Sequence, residues 1–214
     1  HELLQPAPYD GLLVSRATVG GKRSAGKYTE SQRMRLTRVG AHRFLRYNEQ
    51  HDNSKWLFGD CGAFSYHKEE TPPYTPRDTL DFYADCGFTH GCSVDHVIFE
   101  CVDNRKDMSG ASQTAESRYE ITLQNAEEFL AGSRSLGSSF TPVGVIQGWS
   151  PYSMAESAQS LVAMGYKFIA VGGMVPLKLP MIHSCLQSIR DRIGSRQDIA
   201  IHLLGFAKAD KLDE

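Results

Sequence analysis

The second half of the chain alternates short apolar runs with stretches of helical period. Thr141-Pro142-Val143-Gly144-Val145-Ile146-Gln147-Gly148 is nearly continuously apolar and ends in glycine, as a strand buried on both faces would. Ser153 with Glu156 then predicts a capping box, and Ala155, Ala158, Leu161 and Val162 form the apolar stripe of a helix that Gly165 stops. The pattern repeats in Phe168-Ile169-Ala170-Val171, a strand ending at Gly172-Gly173. Pro180 suits a first helical position, and Ile182, Cys185, Leu186, Ile189 and Ile193 recur at helical spacing up to Gly194. Residues 199–204 predict a third strand, again ending at a glycine, Gly205. Strands joined by helices through short links pair in parallel, because a parallel neighbour needs a crossover.

The first half is less regular. Residues 11–14 predict an opening strand, and residues 56–59 predict another that runs into Asp60-Cys61-Gly62. Thr75, Pro76 and Asp78 open a helix through Leu80, Phe82 and Tyr83 that Gly87 closes. Residues 93–99 are β-rich with Asp95 inside. Residues 103–118 are polar and aperiodic and predict an exposed loop, before a helix over 120–131 introduced by Ser117 and Glu120. The whole of 1–214 reads as a single domain with about six strands. A closed (β/α)₈ barrel needs eight strands and typically about 250 residues. The prediction is therefore an α/β fold, six of the eight strands of a TIM barrel; a doubly wound open sheet is the alternative that periodicity leaves open.

Composition changes this picture little. With 41% hydrophobic and 22% charged residues the chain can bury one core, and its net charge of −2 gives no global pull towards nucleic acid or membrane. No apolar run approaches the roughly 20 residues that span a bilayer. The five cysteines (Cys61, Cys86, Cys92, Cys101 and Cys185) are odd in number and fall inside expected elements, which fits reduced thiols and a cytoplasmic protein. Neither CxxC nor HxxxH spacing occurs, so no metal site is expected from this chain. The chain opens on His1 without a charged-then-apolar leader, and reads as a piece of a longer or processed protein.

In barrels and open α/β sheets alike, ligands bind at the carboxyl ends of the strands. Here those ends carry Asp60, Asp95, Gln147 and the Gly172-Gly173 pair. Two carboxylates in one pocket can divide acid and base roles when their environments separate their pKa values. A carboxylate also accepts paired N–H donors, while Gln and a backbone amide serve a carbonyl oxygen. The set fits a guanine-like ring, which offers donors at N1 and the exocyclic amine and an acceptor at O6. Each residue also has a plainer reading: Asp60 as a turn residue, Gln147 as a strand cap, the glycines as a tight turn. Asp95 is harder to explain away, because an unpaired carboxylate in an apolar run is costly to bury.

These segments resemble the tRNA-guanine transglycosylases. The resemblance is carried by Phe58-Gly59-Asp60-Cys61-Gly62-Ala63-Phe64, Val94-Asp95-His96, Gly144-Val145-Ile146-Gln147-Gly148 and Ile169-Ala170-Val171-Gly172-Gly173-Met174, with Ile201-His202-Leu203-Leu204-Gly205 similar to the family's next strand. The family has a (β/α)₈ barrel and exchanges a guanine in a polynucleotide for a 7-deazaguanine through a covalent glycosyl-enzyme intermediate. The resemblance implies that Asp60 is the general acid/base and that Asp95 reads the N1 and amine edge. It also implies that Gln147 and the backbone at Gly172 and Gly173 meet the base's carbonyl, with Met174 flanking the ring. Two departures stand out. Cys61-Gly62-Ala63 replaces the family's Ser-Gly-Gly, and the nucleophilic aspartate and zinc site are expected beyond residue 214. The Trp149-Ser150-Pro151 loop, in place of a second glycine, looks more like the branch that places 7-deazaguanines in DNA, in phages and bacterial DNA-modification islands, than like the tRNA branch.

Lys22, Arg23, Lys27, Arg33, Arg35, Arg38, Arg43 and Arg46 lie close together, opposed only by Glu30. Such a patch can neutralise phosphates, though a solvated helix face produces the same pattern. The expected partners are a polynucleotide and a 7-deazaguanine base, with a homo-oligomer or a partner subunit left open. The rival functional reading is a non-catalytic transglycosylase-like subunit that binds nucleic acid.

Overall fold

A computed structural model describes residues 9–21, 26–47, 55–137, 140–194 and 198–206. Its strands are β1 (Gly11–Ser15), β2 (Trp56–Asp60), β3 (His90–Cys92), β4 (Thr141–Ile146), β5 (Phe168–Val171) and β6 (Ala200–Leu203). They form a single sheet in the order β1-β2-β3-β4-β5-β6, and every neighbouring pair is parallel. Sequential order without a reversal removes the doubly wound alternative. The sheet is also curled: the rings of Phe58 on β2 and His202 on β6 lie 4.9 Å apart although three strands separate them in the order. The chain is six strands of a (β/α)₈ barrel, a half-barrel whose sheet stays open between β6 and β1 among the described residues.

Side-chain alternation builds two layers. Phe58, Cys92, Val143, Val145, Phe168 and Ala170 point into the concave side, where they form a small apolar floor. Their neighbours Ile146, Ile169 and Val171 point outwards, against α5 (Gln113–Leu136), α6 (Pro151–Met164) and α7 (Leu179–Ile193). Tyr83 of α4 (Pro76–Cys86) anchors a second outer cluster with Leu57, Leu80, Phe129 and Phe140. The period of two has a direct consequence for chemistry. Asp60 continues the inward phase of Phe58, and Gln147 that of Val143 and Val145, so both are aimed at the top of the barrel interior.

The helix ends follow local chemistry, with corrections to the sequence-based reading. α4 starts as expected, with Thr75 and Asp78 in a reciprocal capping box and Gly87 in the left-handed region at its end. α6 starts two residues before the expected turn: its N-cap is Ser150, and Ser153 is the third helical residue that completes the box. α5 begins at Gln113 behind the N-cap Ser112, so residues 113–118 are helix and the exposed loop is shorter than 103–118. Ala115 alone is buried in that first stretch, too little apolar signal for periodicity to register. Residues 93–98 are all buried, but β3 ends at Cys92. Their amides bond largely to side chains instead: His96 N donates to Thr122 Oγ1 at 3.0 Å and Ile98 N to Gln147 Oε1 at 3.2 Å. All five cysteines are free thiols, and no described helix is long and apolar enough to cross a membrane.

Candidate active site

Asp60, Asp95, Gln147, Gly172 and Gly173 converge on one cavity of about 140 Å³ above the apolar floor. Phe64, Val97, Phe99, Val175, Pro176 and Leu204 complete its walls. The mixture of a few convergent polar groups in an apolar cleft is the usual form of a small-molecule site.

Asp95 is the centre of a buried network. Gln147 Nε2 donates to its Oδ2 at 2.6 Å, and the Cys61 thiol donates to its Oδ1 at 2.8 Å. Behind the thiol, Tyr66 Oη lies 3.0 Å from Cys61 Sγ and 2.9 Å from the Asp95 carbonyl. Burial and the two nearby carboxylates push the Cys61 thiol well up, which keeps it protonated and therefore a donor. Burial also raises the Asp95 carboxyl, while the bonds from Cys61 and Gln147 pull the other way. Gln147 completes the frame, because its Oε1 accepts from Ile98 N while its Nε2 holds Asp95. The substitution of thiol for the family's hydroxyl thus leaves the hydrogen bond in place.

Asp60 stands at the end of β2, open to the cavity on one side. Desolvation and then the charge of Asp95 push its carboxyl up to about 7, against the lowering effect of the Gly62 and Cys61 amides. A carboxyl that titrates near neutrality can both give and take a proton at physiological pH.

The glycine pair serves steric ends. A Cβ on Gly172 would lie 2.3 Å from Gln147 Nε2, so only glycine admits the carboxamide to its place. Gly173 adopts φ 73°, a conformation side-chain-bearing residues rarely take. Gly172→Ala is expected to displace the Gln147 amide and break its bond to Asp95. Guanine affinity, measured by calorimetry, should fall about tenfold or more, the equivalent of one lost charge-assisted hydrogen bond, with the circular dichroism spectrum retained.

Not every expected residue joins the site. Met174 is buried in the outer cluster with Ile146, Met154 and Ile182, because the chain turns at Gly173 and carries its side chain away from the cavity. Val175 and Pro176 form the wall that Met174 was expected to supply. The arginines also lie elsewhere. Arg35, Arg38 and Arg43 line a surface groove with Met34 on α2 (Glu30–Val39) and α3 (Ala41–Phe44). Gly40, the joint between these helices, faces the Cys86 carbonyl at the end of α4, opposite the cavity end of the layer. Arg33 donates to the Tyr28 carbonyl, exposed Arg46 sits in the turn after α3, and Lys22 and Arg23 fall outside the described residues. Conversely, Tyr66 and Phe99 belong to the site without any sequence signal that singles them out. No trio of His, Cys, Asp or Glu among the described residues is arranged to hold a metal ion, so no step below runs through one.

No family model matches the chain. A DNA-guanine transglycosylase from Salmonella montevideo is 42% identical to it over 212 residues, which cover 98% of this chain and 49% of that protein. The chain therefore spans about half the length of the curated relative it matches. With that identity along nearly its whole length, on a half-barrel whose strand ends gather the two aspartates, the glutamine and the glycine pair, the chain belongs to the transglycosylase family.

Proposed function

We propose that this chain is the base-recognition part of an enzyme that exchanges guanine in DNA for a 7-deazaguanine. The observation that carries the reading is Asp95, whose two oxygens are fixed by Gln147 and Cys61 at the wall of a base-sized cavity with Asp60 beside it. Asp95 accepts from N1–H and the exocyclic amine, and the second N–H of the Gln147 amide, with a backbone amide at Gly173, serves O6. These donors and acceptors are shared by guanine and 7-deazaguanine and are reversed in adenine. The relative's name supports DNA as the polynucleotide.

Exchange needs the target nucleotide out of its stack. A carboxylate nucleophile supplied from outside these residues attacks C1′, the bond to N9 breaks, and the departing guanine takes up a proton. The incoming base then gives up its N9 proton as the new bond forms and the carboxylate leaves. One group that first donates and then accepts fits both halves, and Asp60, with its carboxyl at about 7, is placed to do so.

Guanine and 7-deazaguanine are expected to raise the melting temperature of the 214-residue chain, whereas adenine is not. Labelled guanine should enter guanine-containing DNA with a longer protein and not with this chain alone. Stabilisation by adenine equal to that by guanine refutes the assignment of Asp95.

A further inference from the structure

The cavity opens beside an aromatic cluster that base recognition does not use up. Phe64, on the 3₁₀ turn Ala63–Tyr66, is 66% exposed, and Phe99, just past the buried run, is 37% exposed. His67 lies between them. Its ring centroid is 5.7 Å from Phe64 and 5.5 Å from Phe99, and the two phenyl rings meet edge to face at 5.7 Å. The cluster is built rather than incidental. Arg118 of α5 donates to the backbone carbonyls of both Val97 and His67, tying together the two segments that carry the rings, and His67 Nδ1 bonds the Phe64 carbonyl at 2.8 Å.

Aromatic rings held open at a rim are costly in water unless a ligand covers them. Both phenyl rings also line the cavity, so whatever lies on them is continuous with its occupant. A base seated in the cavity from a polynucleotide brings its neighbour to within one phosphodiester of the rim. Every nucleobase has a π-face, and stacking on aromatic side chains binds single-stranded nucleic acid with little regard to sequence.

We propose that Phe64, His67 and Phe99 form a stacking platform for the nucleobase next to the target guanine, with Phe99 as its outer ring. The proposal rests on the DNA-exchange reading above. It is tested in the full-length protein with short single-stranded oligonucleotides holding one guanine, whose neighbours are either intact or abasic. Phe99→Ala and Phe99→Leu should each weaken binding of the intact oligonucleotide roughly tenfold more than they weaken binding of free guanine, and Phe99→Trp should restore it. Abasic neighbours should weaken binding to the parent protein by a similar factor, after which Phe99→Ala should cost nothing more. Equal losses for intact and abasic oligonucleotides, or no loss for either, overturn the platform and leave base recognition standing. A parent protein that binds neither guanine nor any oligonucleotide removes both.

Discussion

Asp95→Asn should lower guanine affinity by two to four orders of magnitude while the half-barrel stays folded. In the native arrangement both carboxylate oxygens accept from buried donors, Cys61 Sγ at 2.8 Å and Gln147 Nε2 at 2.6 Å. An amide in that position points its own NH₂ at one of them. If the donor it meets is Gln147, the carboxamide must turn over, and its Oε1 then abandons Ile98 N. A buried polar group left unpaired costs about 1–3 kcal/mol, which falls on the apo protein. The loss is partly offset because the buried carboxyl, already raised by desolvation, no longer has to ionise. On the ligand side the loss is larger, since guanine presents two donors to a group that retains one acceptor. Sites built around hydrogen bonds discriminate by factors of about 10⁴ when a partner is wrong. The substitution also inverts half of the code. Xanthine keeps the N1–H donor but carries a carbonyl in place of the amine, so it should bind Asp95→Asn better than guanine does. Titration calorimetry with guanine and xanthine on both proteins decides this; an unchanged preference for guanine shows that Asp95 does not read that edge.

Much of this site was legible because it follows from strand register. Asp60 and Gln147 sit at strand ends, and alternation from Phe58 and Val145 sends both inwards whatever the tertiary detail. The glycines after β5 were legible for the same reason, as was the barrel's incompleteness. Asp95 was legible as a buried carboxylate but not in its backbone setting. Burial of residues 93–98 produces an apolar run indistinguishable from a strand, yet the amides of His96 and Ile98 pair with the side chains of Thr122 and Gln147. No local rule anticipates bonds across 26 and 49 residues. Met174 failed for a geometric reason: a positive φ at Gly173 redirects the chain, and the next side chain changes layers. The thiol of Cys61 looked like a weakened substitute for a hydroxyl. Its value depends on Tyr66 five residues later and on Asp95, neither of which periodicity connects to it.

The second large effect concerns pH. Asp60 has its folded-state carboxyl raised from 3.8 to about 7, so the unfolded chain releases this proton at a lower pH than the folded one does. Between those values the native state holds more protons, and stability must fall as pH rises, levelling off above about 7. Below pH 4 both states are protonated and the group contributes nothing. A displacement of this size corresponds to at most about 4 kcal/mol at pH 8. Asp60→Asn removes the titration but keeps an oxygen for the Gly62 and Cys61 amides, and it relieves Asp95 of a neighbouring charge. The difference in urea midpoint between Asp60→Asn and the parent should therefore be near zero at pH 4 and grow steadily to pH 8, with the variant the more stable. Residual pH dependence in the variant is expected from Asp95, whose carboxyl is raised by burial in the same direction. Parallel stability curves for the two proteins would mean that Asp60 ionises as an ordinary surface carboxylate. It would then hold no proton at neutral pH for a departing base. The stability lost above pH 4 and the acid retained at pH 7 have one origin, the desolvated end of β2 beside Asp95. Guanine exchange by Asp60→Asn in the longer protein should accordingly fall by at least about a hundredfold, because the more stable variant has nothing left to donate.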